Sequence, residues 1–267
     1  MRRAPESTIT LSAATYEVAW EHARLGDMPL AVYVPPTGFE EWERAEVVRT
    51  AWEELERLGL ARFGGLCGEL ADMLALLAGA HREVDARLAL DRPGTPGGEV
   101  RGLAAGTGDN GVLAVLRDGK LSLRWIFGSG LAREIVDLLP EHPAGAGTSV
   151  SLPRAQIEAA AERAGSSLYG FVDELVELGI AGDQARHLVR LIEGTFRRGQ
   201  FGAAVRDRAG HRHPARRAVA FHDTRAGRYL MVDRRSADGQ VWTTVTPATP
   251  ALLAEHVQAL LEGLRPA

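Results

Sequence analysis

Apolar residues recur in this chain at two spacings, every second position and every third or fourth, and these mark strands and helices. Arg216–Gly263 carries both. Arg217–Phe221 alternates into a turn, Arg228–Val232 follows, and Gln240–Thr246 follows Asp238-Gly239. Period-two runs separated by a turn dipeptide predict three short strands. Thr249-Pro250 then supplies an N-cap and an N1 proline, and Leu252, Leu253, Val257, Leu260 and Leu261 share one face of a helix. The same layout stands earlier. There Arg101–Ala105, Val112–Leu116 and Lys120–Phe127 lead to a helix with Leu131, Ile135, Leu138 and Leu139. Gly111 falls opposite Gly227, Asp118-Gly119 opposite Asp238-Gly239, and Leu131 opposite Leu252. The chain reads as one unit written twice.

From the start, Thr8–Leu11 alternates as a strand and Ala13–Leu25 is helical, with Tyr16, Trp20 and Ala23 on one side. Met28–Val34 runs extended into Pro35-Pro36. Glu40–Leu60 is the longest helix, in which Trp42, Ala45, Val48, Trp52, Leu55 and Leu58 keep helical spacing until Gly59 ends it. Trp20, Trp42 and Trp52 therefore read as core. Glu69–Leu77 is a shorter helix, Glu83–Leu90 a strand, and Asp91–Gly98 a loop of prolines and glycines.

Pro140–Gly147 links to a second half that repeats this order. Thr148–Leu152 matches Ser7–Leu11, with Val150 opposite Ile9 and Leu152 opposite Leu11. Ile157 then stands opposite Tyr16, and Glu158 and Glu162 opposite Glu17 and Glu21. Leu175–Ala181 mirrors Leu55–Ala61, Asp183–Ile192 mirrors Glu69–Leu77, and Thr195–Val205 mirrors Glu83–Leu90. Asp207–Arg216 takes the place of the Asp91–Gly98 loop. Helices and strands are segregated within each half, so the class is α+β. Ordered matches favour internal duplication. The halves, residues 8–139 and 148–264, are expected to join edge to edge across a pseudo-two-fold axis as one large sheet in a single domain.

A chain of 267 residues, 45% hydrophobic and 25% charged, is ample for a real core. Its net charge of -4 argues against a nucleic-acid binder held by a general basic field. A lone cysteine, Cys67, excludes an internal disulfide framework and fits a reducing compartment. Met1–Ser7 is basic then polar with no apolar stretch behind it, and no apolar run approaches ~18 residues. Neither a signal peptide nor a membrane span is expected.

Candidate chemistry is sparse. Gly106–Gly111 satisfies G-x-G-x-x-G, but the dinucleotide site needs that turn to open a helix, and Val112–Leu116 is a strand. Asn110-Gly111 is then a hairpin turn. His211, His213 and His222 would supply imidazoles, yet the first two sit in a proline-bounded loop without ligand spacing. No G-x-S-x-G, H-E-x-x-H, P-loop or paired zinc cysteines appears, and Cys67 has no adjacent base. Enzyme activity has no positive support. Arg197, Arg198, Arg206, Arg208, Arg212, Arg216 and Arg217 crowd one strand–loop–strand. They suit a solvated sheet edge or, as a second functional reading, a regulatory surface for an acidic partner or ligand.

The second half has lighter helices, with Ala161 opposite Trp20 and no tryptophan in Leu168–Leu178. Val172, Leu175, Val176, Leu188, Val189 and Ile192 form an apolar set too broad for one seam. Its outer members are candidates for a partner-binding groove whose floor is the Phe221 and Tyr229 strands. The site so expected is Val172, Val176, Val189, Ile192, Phe221 and Tyr229.

The segments LSAATYEVAWEHARLGDMPL, EVDARLAL, VRGLAAGTGDNGVLAVLRDGKLSLR, DELVELGIAGDQARHLVRLI, RYLMV and VWTTVTPATPALLAEHVQALL resemble the EspG proteins. These are the secretion-associated chaperones of actinobacterial type VII (ESX) secretion. The resemblance runs from Thr8 to Leu264. It implies a quasi-two-fold central sheet with two helical bundles, in a cytosolic protein without catalysis, cofactor or metal. The implied partner is a PE–PPE heterodimer or a related helical-hairpin substrate, with neither nucleic acid nor membrane involved. Its helical tip would be held by the sheet and the C-terminal bundle, through apolar anchors with polar neighbours setting specificity. The loop linked to partner choice falls at Asp91–Gly98, short here and without large apolar groups.

Overall fold

In the computed structural model, residues 8–91 and 94–264 are described; Met1–Ser7 and the Arg92-Pro93 part of the Asp91–Gly98 loop lie outside them. The first half runs β1 (Thr8–Ser12), α1 (Ala13–His22), α2 (Glu41–Arg57), β2 (Ala61–Arg62), β3 (Gly65–Leu66), α3 (Gly68–Gly79), β4 (Arg82–Ala89), β5 (Glu99–Thr107), β6 (Asn110–Arg117), β7 (Lys120–Phe127) and α4 (Leu131–Val136). The second runs β8 (Val150–Pro153), α5 (Arg154–Ala164), α6 (Leu168–Glu177), α7 (Gly182–Ile192), β9 (Arg197–Arg206), β10 (Arg212–Pro214), β11 (Val219–Thr224), β12 (Gly227–Arg235), β13 (Val241–Pro247) and α8 (Pro250–Glu262).

Local signals set these boundaries. Ser12 caps α1 by accepting from the Thr15 amide, and Thr249 caps α8 ahead of Pro250. The paired segments Leu55–Ala61 and Leu175–Ala181 close their helices in the same way. Leu60 N donates to Leu55 O and Gly59 N to Glu56 O, while Ile180 N donates to Leu175 O and Gly179 N to Val176 O. Both are Schellman closures, with Gly59 at φ 70° and Gly179 at φ 89°. Met28–Val34 differs from the extended reading, because Leu30–Val32 coils into a 3-10 turn. Asp207–Arg216 is more than a loop, since β10 folds back onto β9.

The main sheet has 11 strands in the order β1-β7-β6-β5-β4-β9-β11-β12-β13-β8, with β10 against β9, and its ladders are antiparallel. The protein is α+β. The halves meet where β4 pairs β9, from Arg82↔Val205 to Ala89↔Arg198. One face of the sheet centre is covered by α4 and α8, one helix from each half, over Val84, Ala86, Leu88, Phe201 and Phe221. On the opposite face two bundles stand apart. α1 and α3 cover β1 and β5–β7 with Tyr16, Trp20, Leu70 and Leu74. α5–α7 cover β8, β12 and β13 with Phe171, Leu175, Leu188 and Leu191. Val112–Leu116 is continuously apolar because β6 is buried on both faces.

The α2 tryptophans depart from the core reading. α2 packs on α1 and β2 rather than on the sheet. Its fully buried stripe is Ala51 and Leu55; Trp42 is 72% exposed, and Leu58 is exposed as well. Charge completes the attachment, since Arg44 bridges to Glu17 and Glu21 of α1. Trp52 is half-buried, edge-on to His22 at 4.8 Å. Trp52→Ala should therefore cost about half of the ~3–5 kcal/mol lost at a fully buried tryptophan, read from urea denaturation.

The link between halves is fixed by a buried ion pair. Arg228 Nε donates to Asp223 Oδ1 at 2.7 Å and Nη2 to Oδ2 at 2.9 Å, with both residues almost fully buried. Arg228 Nη2 also donates to Pro140 O, and its backbone pairs with Pro143 and Gly145. Gly145 lies so close to the Tyr229 ring that a Cβ would stand 2.2 Å from it. Arg228→Ala would leave the buried Asp223 carboxylate with only the more distant Arg197, at 3.7 Å. Such a loss costs about 3–5 kcal/mol, and a shift of that size in the denaturation midpoint is expected.

Candidate functional site

Because side chains alternate across a strand, the central strands present a second set of residues away from α4 and α8. These are Asp85 and Arg87 on β4, Arg198 and Gln200 on β9, Ala220 on β11 and Met231 on β12. They floor an open groove between the two bundles, made of adjoining cavities of about 770 and 820 Å³. Leu30, held outward by the 3-10 turn, walls one side, and Leu168 and Ile192 the other. Gly202 and Ala220 keep the floor low. A Cβ on Gly202 would come within 2.6 Å of Asp85 Oδ1.

The groove is charged. Buried Glu83 pairs with Arg212, and Arg154 of α5 bridges Glu158 at 2.7 Å and Asp233 at 2.5 Å. Burial pushes the Asp85 carboxyl above its ordinary value, against the opposing pull of Arg212. His222 is shifted down by burial, stacks on Tyr229 at 5.3 Å, and donates Nε2–H to Leu191 O at 2.9 Å. That bond uses one ring nitrogen and tethers the groove wall at α7 to β11.

Of the residues expected to bind a partner, Ile192 lines the groove beside Leu168. Val176 is 46% exposed on α6, while Val172 and Val189 are half-buried against the second bundle's core. Phe221 and Tyr229 are corrected. Phe221 borders the groove cavity but is only 2% exposed, because its ring packs with Phe201 beneath α8. Tyr229 is 1% exposed within the second bundle, its hydroxyl donating to Ala146 O. Neither ring offers surface to a partner. The arginine-rich segment is not a sheet edge either, since β9 is flanked by β4 and β11. Its charges divide: Arg197 donates to Leu90 O, Arg212 holds Glu83, and Arg198, Arg206, Arg216 and Arg217 line the groove. The sequence reading missed Leu30, Arg87, Arg154 and Met231. The one available signal was the alternation of charged Glu83, Asp85 and Arg87 with apolar Val84, Ala86 and Leu88 along β4.

The other candidates resolve structurally. The G-x-G-x-x-G stretch is a β5–β6 hairpin, with Thr107↔Asn110 paired and the turn at Gly108-Asp109 rather than at Asn110-Gly111. His213 Nε2 lies 2.8 Å from Asp207, whose carboxyl that hydrogen bond holds down at about 2. Among the described residues no group of His, Cys, Asp and Glu is arranged to hold a metal, and no helix is long and apolar enough to cross a membrane.

Asp85 gives a pH test. Its folded pKa is raised above 3.8, so the folded protein binds this proton more tightly than the unfolded chain. The resulting stability is complete below 3.8 and is lost as pH rises through the folded value. Asp85→Asn should therefore be more stable than the parent at neutral pH, the gap closing in acid, in paired urea titrations.

Among solved structures the chain is similar to the Mycobacterium tuberculosis type VII secretion system chaperone EspG5, solved in complex with a PE25-PPE41 dimer. The match covers 97% of both chains at TM-score 0.75 and 17% identity, a likeness of fold. No curated protein sequence matches the chain. The sequence model of the EspG family matches residues 12–259, which takes in both bundles, the central strands between them and most of α8. By that match, the chain belongs to the EspG family.

Proposed function

We propose that this protein is a cytosolic, non-catalytic chaperone of a type VII secretion system, binding the helical tip of a PE–PPE pair and keeping it from aggregating before export. The observation that carries this reading is the open groove between the bundles, with apolar walls at Leu30, Leu168 and Ile192 and a polar floor. A groove of this kind takes a helix whose apolar side chains anchor against the walls. EspG5, of the same fold, was solved with a PE25-PPE41 dimer. The second bundle also exposes Val176 and half-exposes Val189, which on this reading add apolar anchors outside the groove. We also infer that residues 8–139 and 148–264 descend from one duplicated unit. The sheet order supports this, since each half runs inward from its own edge through β1-β7-β6-β5-β4 or β8-β13-β12-β11-β9.

The test is pull-down of a PE–PPE pair from the same genome, with circular dichroism in parallel. Val176→Asp or Val189→Asp should abolish capture while leaving the spectrum unchanged. Unimpaired capture by folded variants would move the contact off the second bundle. Failure of the parent protein to capture any such pair would sink the chaperone reading.

A further inference from the structure

We propose that Arg87, Arg101 and Arg198, set side by side on the groove floor, select a partner helix that carries acidic side chains on the face turned to the sheet. This rests on the groove-binding reading above and names the chemistry of what the groove admits. The three come from adjacent strands. Arg101 on β5 is the direct cross-strand partner of Arg87 on β4. Arg87 is opposite Gln200 on β9, two positions from Arg198 on the same face. All three border the same cavity.

Like charges directly opposite one another in a sheet are destabilising. A protective role at an edge does not account for them, because β4, β5 and β9 are all interior strands. Internal neutralisation is also incomplete. Among the described residues none of the three forms an ion pair, and Arg101 spends one Nη1–H on the Tyr33 carbonyl at 3.0 Å. Two carboxylates share the floor with the three arginines: Asp85, buried and drawn on by both Arg212 and Arg87, and Glu99, two positions from Arg101 on β5 and across Ala89 from Arg198. The nearby acids Glu83, Glu158 and Asp233 already hold Arg212 and Arg154. On a chain of net charge -4, the floor therefore keeps guanidinium groups in surplus.

Guanidinium forks match carboxylates in geometry and are weakly hydrated, which suits recognition inside a groove. Leu30, Leu168, Ile192 and Met231 surround the arginines. The fitting occupant is thus an amphipathic helix of the exported partner, its apolar residues on the walls and a glutamate or aspartate over the row.

Two labelled helical peptides, identical except for glutamate or lysine at the polar positions between apolar anchors, provide the test by fluorescence anisotropy. The glutamate peptide should bind at least about tenfold more tightly at low salt, the preference shrinking as salt rises. The triple Arg87→Gln, Arg101→Gln, Arg198→Gln variant should lose that preference. Arg87→Gln alone should melt at or above the parent temperature, because it relieves repulsion; a lower melting temperature would make the arginine structural and overturn the proposal. Arg198→Gln, at an exposed position, gives the binding readout if the triple variant does not fold. Equal binding of both peptides, or none of either, overturns the proposal. PE–PPE capture separates the two ideas. Salt-independent capture, equal in parent and triple variant, removes the arginine row and leaves the chaperone reading. A glutamate preference without PE–PPE capture removes the chaperone reading alone.

Discussion

The antiparallel pairing of β4 with β9 is the constraint on which the rest depends. It makes one sheet of two halves, and its register decides which residues face which way. With Arg82 opposite Val205 and Ala89 opposite Arg198, the apolar positions Val84, Ala86, Leu88, Phe201 and Ala203 all fall beneath α4 and α8. Asp85, Arg87, Arg198 and Gln200 fall on the open face. Since the period is two, a one-residue slip of either strand would send its charges into the α4–α8 core and its apolar set into the groove. The cost of burying those charges unpaired makes the observed register stringent. The core that enforces it is shared, because α4 belongs to one half and α8 to the other.

The covalent connection adds a second restraint of a different kind. Arg228 brings its charge beneath the sheet, pairs with Asp223, and then reaches the carbonyl of Pro140. The linker is consequently hydrogen-bonded along Pro143–Ala146 to β12 and the turn before it. A buried pair of this sort adds little net stability compared with apolar packing, but breaking one side of it is expensive. It therefore acts as a registration device: the chain leaves α4 and enters β8 along one path.

Much of this was legible in the sequence for reasons that can be named. The Schellman glycines after Leu58 and Leu178, the Thr249-Pro250 cap and the Asp118-Gly119 turn are local, and local chemistry fixed them. Matching segments in matching order led to the joined sheet. What failed was information held by the partner surface. Trp42 keeps helical spacing, yet α2 has only α1 and β2 beneath it, so a wide apolar face has no layer to cover it. Phe221 and Tyr229 are strand residues of the right type, but pairing with β9 turns the Phe221 ring beneath α8, and Tyr229, although on the groove face, is covered by the second bundle and the linker. The arginine cluster looked like an edge because β9 follows a helix and precedes a loop, and only the long-range ladder to β4 makes it interior. The groove itself is a gap between bundles, and a gap leaves no periodicity.

The polarity of that gap has its own logic. A groove meant to hold an apolar helix must stand open in water until the helix arrives. An apolar floor of this extent would form a contiguous patch of the kind that drives self-association. Charged and small residues on the floor, with leucine and isoleucine confined to the walls, keep the empty groove wet while leaving anchor points at its rim. The consequence is a division of labour. On the proposed reading, the walls would supply most of the affinity through apolar contact and the floor would discriminate, because a partner group that fails to match a desolvated guanidinium leaves it unpaired. A chaperone that must later release its cargo gains from that arrangement. Specificity is raised by the cost imposed on wrong partners, not by tightening the grip on the right one.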